Sequence, residues 1–93
     1  MSQHTFIVNG MELNADVKKE MGVIEVTNVY GITMAVAETF EDTDEGSYTL
    51  FDENGDTDES DLPNEFYRDI EDGDGLKAAE WLCSEAVSAT SVA

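Results

Sequence analysis

A block of like charge dominates this chain, and any fold it adopts must accommodate that block. Sixteen of its twenty-two acidic residues lie between Glu38 and Asp74, where Arg68 is the one base. Residues 1–37 hold Glu12, Asp16, Glu20 and Glu25 against Lys18 and Lys19, and residues 75–93 hold Glu80 and Glu85 against Lys77. The three parts contribute -2, -15 and -1 to the net charge of -18. A field of this size opposes compaction by self-repulsion. A fold that tolerates it either gains something from the charge or works in high salt. A salt-adapted protein would carry acids on every exposed surface, yet both ends are nearly neutral, and three lysines outnumber one arginine. The plain alternative is a solvated acidic loop with no role, the usual fate of a charge run.

At 93 residues the chain is expected to form one domain, 1–93, around a thin core. The hydrophobic fraction of 41% argues against disorder throughout. There is no apolar run of about 18 residues to span a membrane. Met1-Ser2-Gln3-His4 lacks the basic region and apolar core of a signal peptide. A single cysteine, Cys83, fits a reducing compartment, so a soluble cytoplasmic protein is expected. One cysteine and one histidine leave little material for a zinc site or a catalytic triad.

Thr5-Phe6-Ile7-Val8, Asn9-Gly10 and Met11-Glu12-Leu13-Asn14-Ala15 read as a hairpin, because Asn-Gly tolerates positive φ at both turn positions. Val8 then faces Met11 and Phe6 faces Leu13, leaving Ile7 and Glu12 on the other side. Residues 14–21 fit either a short helix, Ala15 to Met21, capped by Asn14 and ended by Gly22, or an extended connection. Val23 to Tyr30 is rich in β-branched residues and predicts a strand. Ile32, Met34 and Val36 alternate with Thr33, Ala35 and Ala37, and Phe40 continues the apolar face of that strand. Ser47 to Phe51 predicts a further strand. Residues 52–61 contain no apolar side chain and read as a loop. Asp61 is placed to cap a short acidic helix with Pro63 in its first turn and Leu62, Phe66 and Ile70 on one face. In the last helix, from about Leu76 to Val87, Leu76, Ala79, Leu82, Cys83, Ala86 and Val87 fill one arc. Residues 88–93 are expected to fray. The expected fold is α+β: a four- to five-stranded, mostly antiparallel sheet with the C-terminal helix packed on one face and the short acidic helix before it.

The acidic block admits three chemistries. An EF-hand loop needs D-x-[DN]-x-[DN]-G and Glu at position 12. Starting at Asp52 puts Thr57 and Pro63 at positions 6 and 12; starting at Asp56 puts Asp61 and Tyr67 there; starting at Asp72 puts Lys77 at position 6. No start satisfies the pattern, so no metal or cofactor is expected. Paired carboxylates for acid–base catalysis need a cleft that separates their pKa values, and nothing singles out a pair, so the chain is not read as an enzyme. The third chemistry is imitation of nucleic acid, whose fixed phosphate charges other proteins grip with Lys and Arg. A strand sets same-face carboxylates about 6.6 Å apart, and a helix sets i,i+4 pairs about 5–6 Å apart. The residues available for this are Glu38 and Glu41 at a strand end, and Asp42, Asp44 and Glu45 in a loop. Asp52, Glu53, Asp56, Asp58, Glu59 and Asp61 follow, then Glu65, Asp69, Glu71, Asp72 and Asp74 on and after the short helix. Trp81 falls on the polar side of the last helix, where it reads either as an interface anchor or as a side chain covered by the sheet or the Phe66 helix. Cys83 lies on the apolar arc and reads as a core residue, and His4, at an outward or frayed N-terminal position, reads as idle.

In size, charge and α+β outline the chain resembles the small acidic DNA-mimic proteins, many phage-encoded, that block restriction enzymes, CRISPR effector complexes and other DNA-binding proteins. The resemblance covers the whole chain and rests on no motif. It implies an inhibitor whose partner is a basic nucleic-acid-binding protein, acting in a host cytoplasm, with no direct contact to nucleic acid or membrane. The competing expectation is a non-enzymatic interaction or structural module, homodimeric through Trp81; a calcium-binding module is the third.

Overall fold

The computed structural model describes residues 2–40, 45–51 and 57–90. Among the described residues six strands form one antiparallel sheet in chain order: β1 (Ser2–Val8), β2 (Met11–Lys18), β3 (Val23–Asn28), β4 (Thr33–Thr39), β5 (Gly46–Phe51) and β6 (Thr57–Asp61). Two helices follow, α1 (Asn64–Asp72) and α2 (Leu76–Thr90). Among the described residues no helix is long and apolar enough to cross a membrane.

The hairpin has the expected register, Val8 opposite Met11 and Phe6 opposite Leu13. Asn9 (φ 50°) and Gly10 (φ 82°) both take the left-handed conformation that a two-residue turn requires. β2 runs on through the ambiguous stretch to Lys18, so residues 14–18 are extended; Lys19–Met21 form one 3-10 turn before Gly22. Leu13, Ala15 and Val17 are buried, and Glu12, Asn14, Asp16 and Lys18 alternate with them on the opposite face.

β3 stops at Asn28, short of Val29 and Tyr30. The Asn28 side-chain oxygen accepts from the backbone N–H of Tyr30 (2.9 Å) and Ile32 (3.0 Å), a local bond that competes with the ladder and turns the chain. The face expected of β4 is corrected. Ala35, Ala37 and Thr39 point into the core, Val36 lies on the open face, and Ile32 and Phe40 are exposed. A bulge opposite Val26 and Thr27 inserts Met34 and turns it toward the core, which breaks the period of two that linked Ile32, Met34 and Val36. The alanines are inward because α2 crosses there and lays Ala78, Ala79 and Ala86 against the same cluster. Small side chains on both elements let the helix approach closely.

The sixth strand was expected to be loop. β6, Thr-Asp-Glu-Ser-Asp, has no apolar side chain because it is an edge, exposed along its whole length and held by pairing to β5. Asp61 ends this strand and does not cap α1; Pro63 occupies the N-cap, its carbonyl accepting from Phe66 and Tyr67. Leu62, Phe66 and Ile70 are buried together as expected. On α2, Ala79, Leu82, Cys83, Ala86 and Val87 are buried, while Leu76 is partly exposed. The helix continues through Ser88 to Thr90, into the stretch expected to fray; residues 91–93 lie outside the described residues.

Candidate partner-binding surface

Alternation along each strand and the register between strands assign every side chain to one face of the sheet. α2 covers one face. On the other, two rows cross the sheet from β2 to β6: Asp16, Glu25, Val36, Thr49 and Glu59, and beside them Lys18, Val23, Glu38, Ser47 and Asp61. Glu12 lies on the same face nearer the hairpin turn. The only base in these rows, Lys18, forms an ion pair with Glu25 at 3.7 Å. Asp16 directly opposite Glu25 is a like-charge pair, which costs stability. Lys18 offsets it, as does the Thr33 hydroxyl, which donates to Glu25 Oε2 at 2.8 Å.

Glu38, Glu59 and Asp61 are exposed on this face. Glu59 and Asp61 are two residues apart on one strand, hence about 6.6 Å. Glu38 and Asp61 flank Ser47, hence two strand spacings or about 9.6 Å. Asp58 is exposed but belongs to the helix-covered side, opposite Leu50 and near Tyr48. There the Tyr48 hydroxyl donates to Glu85 Oε1 at 3.4 Å. Burial raises its pKa above the usual tyrosine value, a hydrogen bond with Ser60 opposes this, and the charges of Glu85 and Asp58 add to the rise.

Glu45 is exposed, and its carbonyl accepts from Phe40 across the β4–β5 connection. Glu65 is exposed in the first turn of α1, where the helix dipole favours an acid. Among the described residues, two of the expected acids accept hydrogen bonds from the backbone of the next helix. Asp69 Oδ2 accepts from Ala78 N (2.9 Å) and Asp74 Oδ1 from Leu76 N (3.1 Å), so both carboxylates cap the first turn of α2. Glu41, Asp42, Asp44, Asp52, Glu53 and Asp56 lie outside the described residues, as do the side chains of Glu71 and Asp72.

Trp81 is half-buried between two rings. It stacks on Phe66 (centroids 4.6 Å apart, 19° between planes) and meets Tyr48 edge-on (4.8 Å, 78°). This sandwich joins α1, α2 and β5 and accounts for an indole on the polar side of the helix. Cys83 is fully buried. His4 is half-buried opposite Ala15 on the helix side of β1, not outward as expected. Among the described residues no three His, Cys, Asp or Glu side chains are grouped to hold a metal ion.

Three acids of the open face, Glu12, Asp16 and Glu25, were not among the expected site residues. They lie in the nearly neutral N-terminal third and reach the acidic block only through strand pairing. The signal was the strict alternation from Glu12 to Lys18, which extended structure turns into one charged face. No protein-family model, curated protein or solved structure matches the chain.

Proposed function

We propose that this protein inhibits a DNA-binding protein by offering ordered carboxylates in place of phosphates, the strategy of the phage-encoded DNA mimics that act against CRISPR effectors or restriction nucleases. The observation that carries the reading is the open sheet face. Its acids from β2, β3, β4 and β6 stand on hydrogen-bonded strands, Glu59 and Asp61 about 6.6 Å apart, near the spacing of successive phosphates, with Lys18 as the one counter-charge in the rows. Held on a sheet, these groups lose little further freedom on binding, unlike those of a disordered acidic tail.

In this mechanism Glu38, Glu59 and Asp61 form the most exposed part of the surface, and Glu12, Asp16 and Glu25 extend it. Lys and Arg side chains that line a nucleic-acid channel pair with these carboxylates, and the channel closes to DNA. Binding alone inhibits, and no catalytic step is required. The large negative charge steers encounter, so association is fast and salt-sensitive.

The test is capture from a bacterial lysate on immobilised protein, at low and at about 0.5 M salt, where exposed charges are well screened. The expected result is one Lys/Arg-rich nuclease or CRISPR complex, displaced by DNA, weakened by salt and lost with the triple variant Glu38→Gln, Glu59→Gln, Asp61→Asn. Capture of a partner indifferent to DNA, to salt and to that variant would sink the proposal.

A further inference from the structure

The two edges of the sheet are chemically opposite. β6 exposes Asp58, Glu59 and Asp61, a charged edge of the kind that resists pairing. β1, Ser-Gln-His-Thr-Phe-Ile-Val, has no charged carboxylate or ammonium along its length and leaves Ile7 71% exposed. Nothing among the described residues pairs with its outer side. We infer that β1 is a self-association edge, and that two copies of this chain join there, β1 antiparallel to β1, into one continuous sheet.

The register follows from the hairpin. A two-residue turn makes Val8 and Met11 a hydrogen-bonded pair, and such pairs alternate along the ladder. His4, Phe6 and Val8 therefore bond inward to β2, and the N–H and C=O groups of Gln3, Thr5 and Ile7 point out. A two-fold axis at Thr5 pairs Gln3 with Ile7 of the second copy, Thr5 with Thr5, and Ile7 with Gln3, each pair exchanging two bonds. With the axis at His4 or Phe6 the same outward groups meet, but only the Gln3–Thr5 or the Thr5–Ile7 pairs form, so the Thr5 axis gives the longest ladder. In the Thr5 register both sheets keep the same face toward their helices. Phe6, half-buried against the core, then lies diagonal to Phe6 of the second copy, within aromatic reach.

Charge selects a second copy as the occupant. The β6 edge lies five strand spacings away, about 24 Å, well beyond the roughly 8 Å screening length at physiological salt. Two highly acidic molecules can meet at β1 with their charged edges farthest apart, whereas a basic partner is drawn to the other edge. One strand of contact is a small interface, so the dimer is concentration-dependent. It strengthens with salt as the remaining repulsion is screened, whereas capture of a basic partner weakens, and the two properties fail independently.

Sedimentation equilibrium across the micromolar range, at about 0.15 M and about 1 M salt, reads this directly. The mass is expected to rise with concentration from 10.2 kDa toward twice that value, and to do so more readily in high salt. Thr5→Pro deletes an outward N–H and leaves the β1–β2 ladder whole, so it returns the mass to 10.2 kDa, and Glu59→Lys on the far edge does not. Thr5→Glu, which sets like charges opposite one another, does the same as Thr5→Pro and serves if the proline variant loses its native Trp81 signal. A wild-type chain monomeric throughout, its edge left to some other protein's strand, overturns the proposal; so does a dimer that persists in a folded Thr5 variant.

Discussion

Cys83 and Trp81 stand within three residues of each other on α2 and do different work. Cys83 is completely buried, and burial, with a smaller contribution from the charge of Glu80, pushes its thiol up from 9.0 to about 11. The folded chain therefore keeps a proton over a range of pH where the unfolded chain has lost it. Stability from this group is complete below pH 9 and is lost as pH rises toward about 11. The unfolding free energy measured in urea is expected to fall across that window by about 2–3 kcal/mol, and to fall less steeply in Cys83→Ala. Tyr48, also raised, adds a decline of the same sign that the Cys83 variant keeps. Trp81 works through area and ring contact. Removing it with Trp81→Ala should cost about 3 kcal/mol in urea unfolding, as aromatic-to-alanine changes in packed sites do, while Trp81→Phe retains most of the stacking.

At the scale of elements, two acids that look like part of the charged surface hold the helices together. Asp69 reaches from α1 to the first turn of α2, and Asp74 caps the same turn. Asp69→Ala is expected to cost about 1 kcal/mol, as loss of an N-terminal helix cap does, and Glu65→Ala on the same helix about 0.3 kcal/mol from the lost dipole interaction, measured by chemical denaturation. Gly75 between the helices has φ +77°, and a Cβ there would come within 2.7 Å of Val17 Cγ1, so both conformation and space favour glycine. The centre of the sheet has a similar limit. Ala35 is fully buried beneath α2, and Ala35→Leu should lower stability by about 1–3 kcal/mol through overpacking, in contrast to Val36→Leu on the open face.

For the whole molecule the governing quantity is the net charge of -18. Self-repulsion weakens as salt screens it, so the melting temperature should rise with ionic strength. If screening recovers about 1 kcal/mol, a domain of this size gains roughly 4–8 °C, readable by calorimetry between low and high salt. A chelator should leave that melting temperature unchanged, since a ligand held only by the folded state would otherwise raise it. The open face places acids of the nearly neutral N-terminal third beside those of the central block, so the molecular charge pattern differs from the pattern along the chain.

Some of this was legible in one dimension. Asn9-Gly10 dictates its own turn and therefore the pairing of Phe6 with Leu13, because the geometry is local. The apolar arc of α2 and the trio Leu62, Phe66 and Ile70 follow from helical periodicity, which is also local. Other features depend on neighbours remote in sequence. β6 carries no apolar signal because an edge strand draws its order from the ladder of β5. The inward face of β4 is set by a bulge and by the approach of α2, neither of which alternation reports. For Trp81 the sequence left open an interface anchor or a side chain covered by the sheet or the Phe66 helix, and the rings of Phe66 and Tyr48 decide for cover. The sequence by itself determined the local turns, the amphipathic helices and the amount of charge. Only the tertiary structure decided which acids share a face, because strand register joins residues that no local interaction connects.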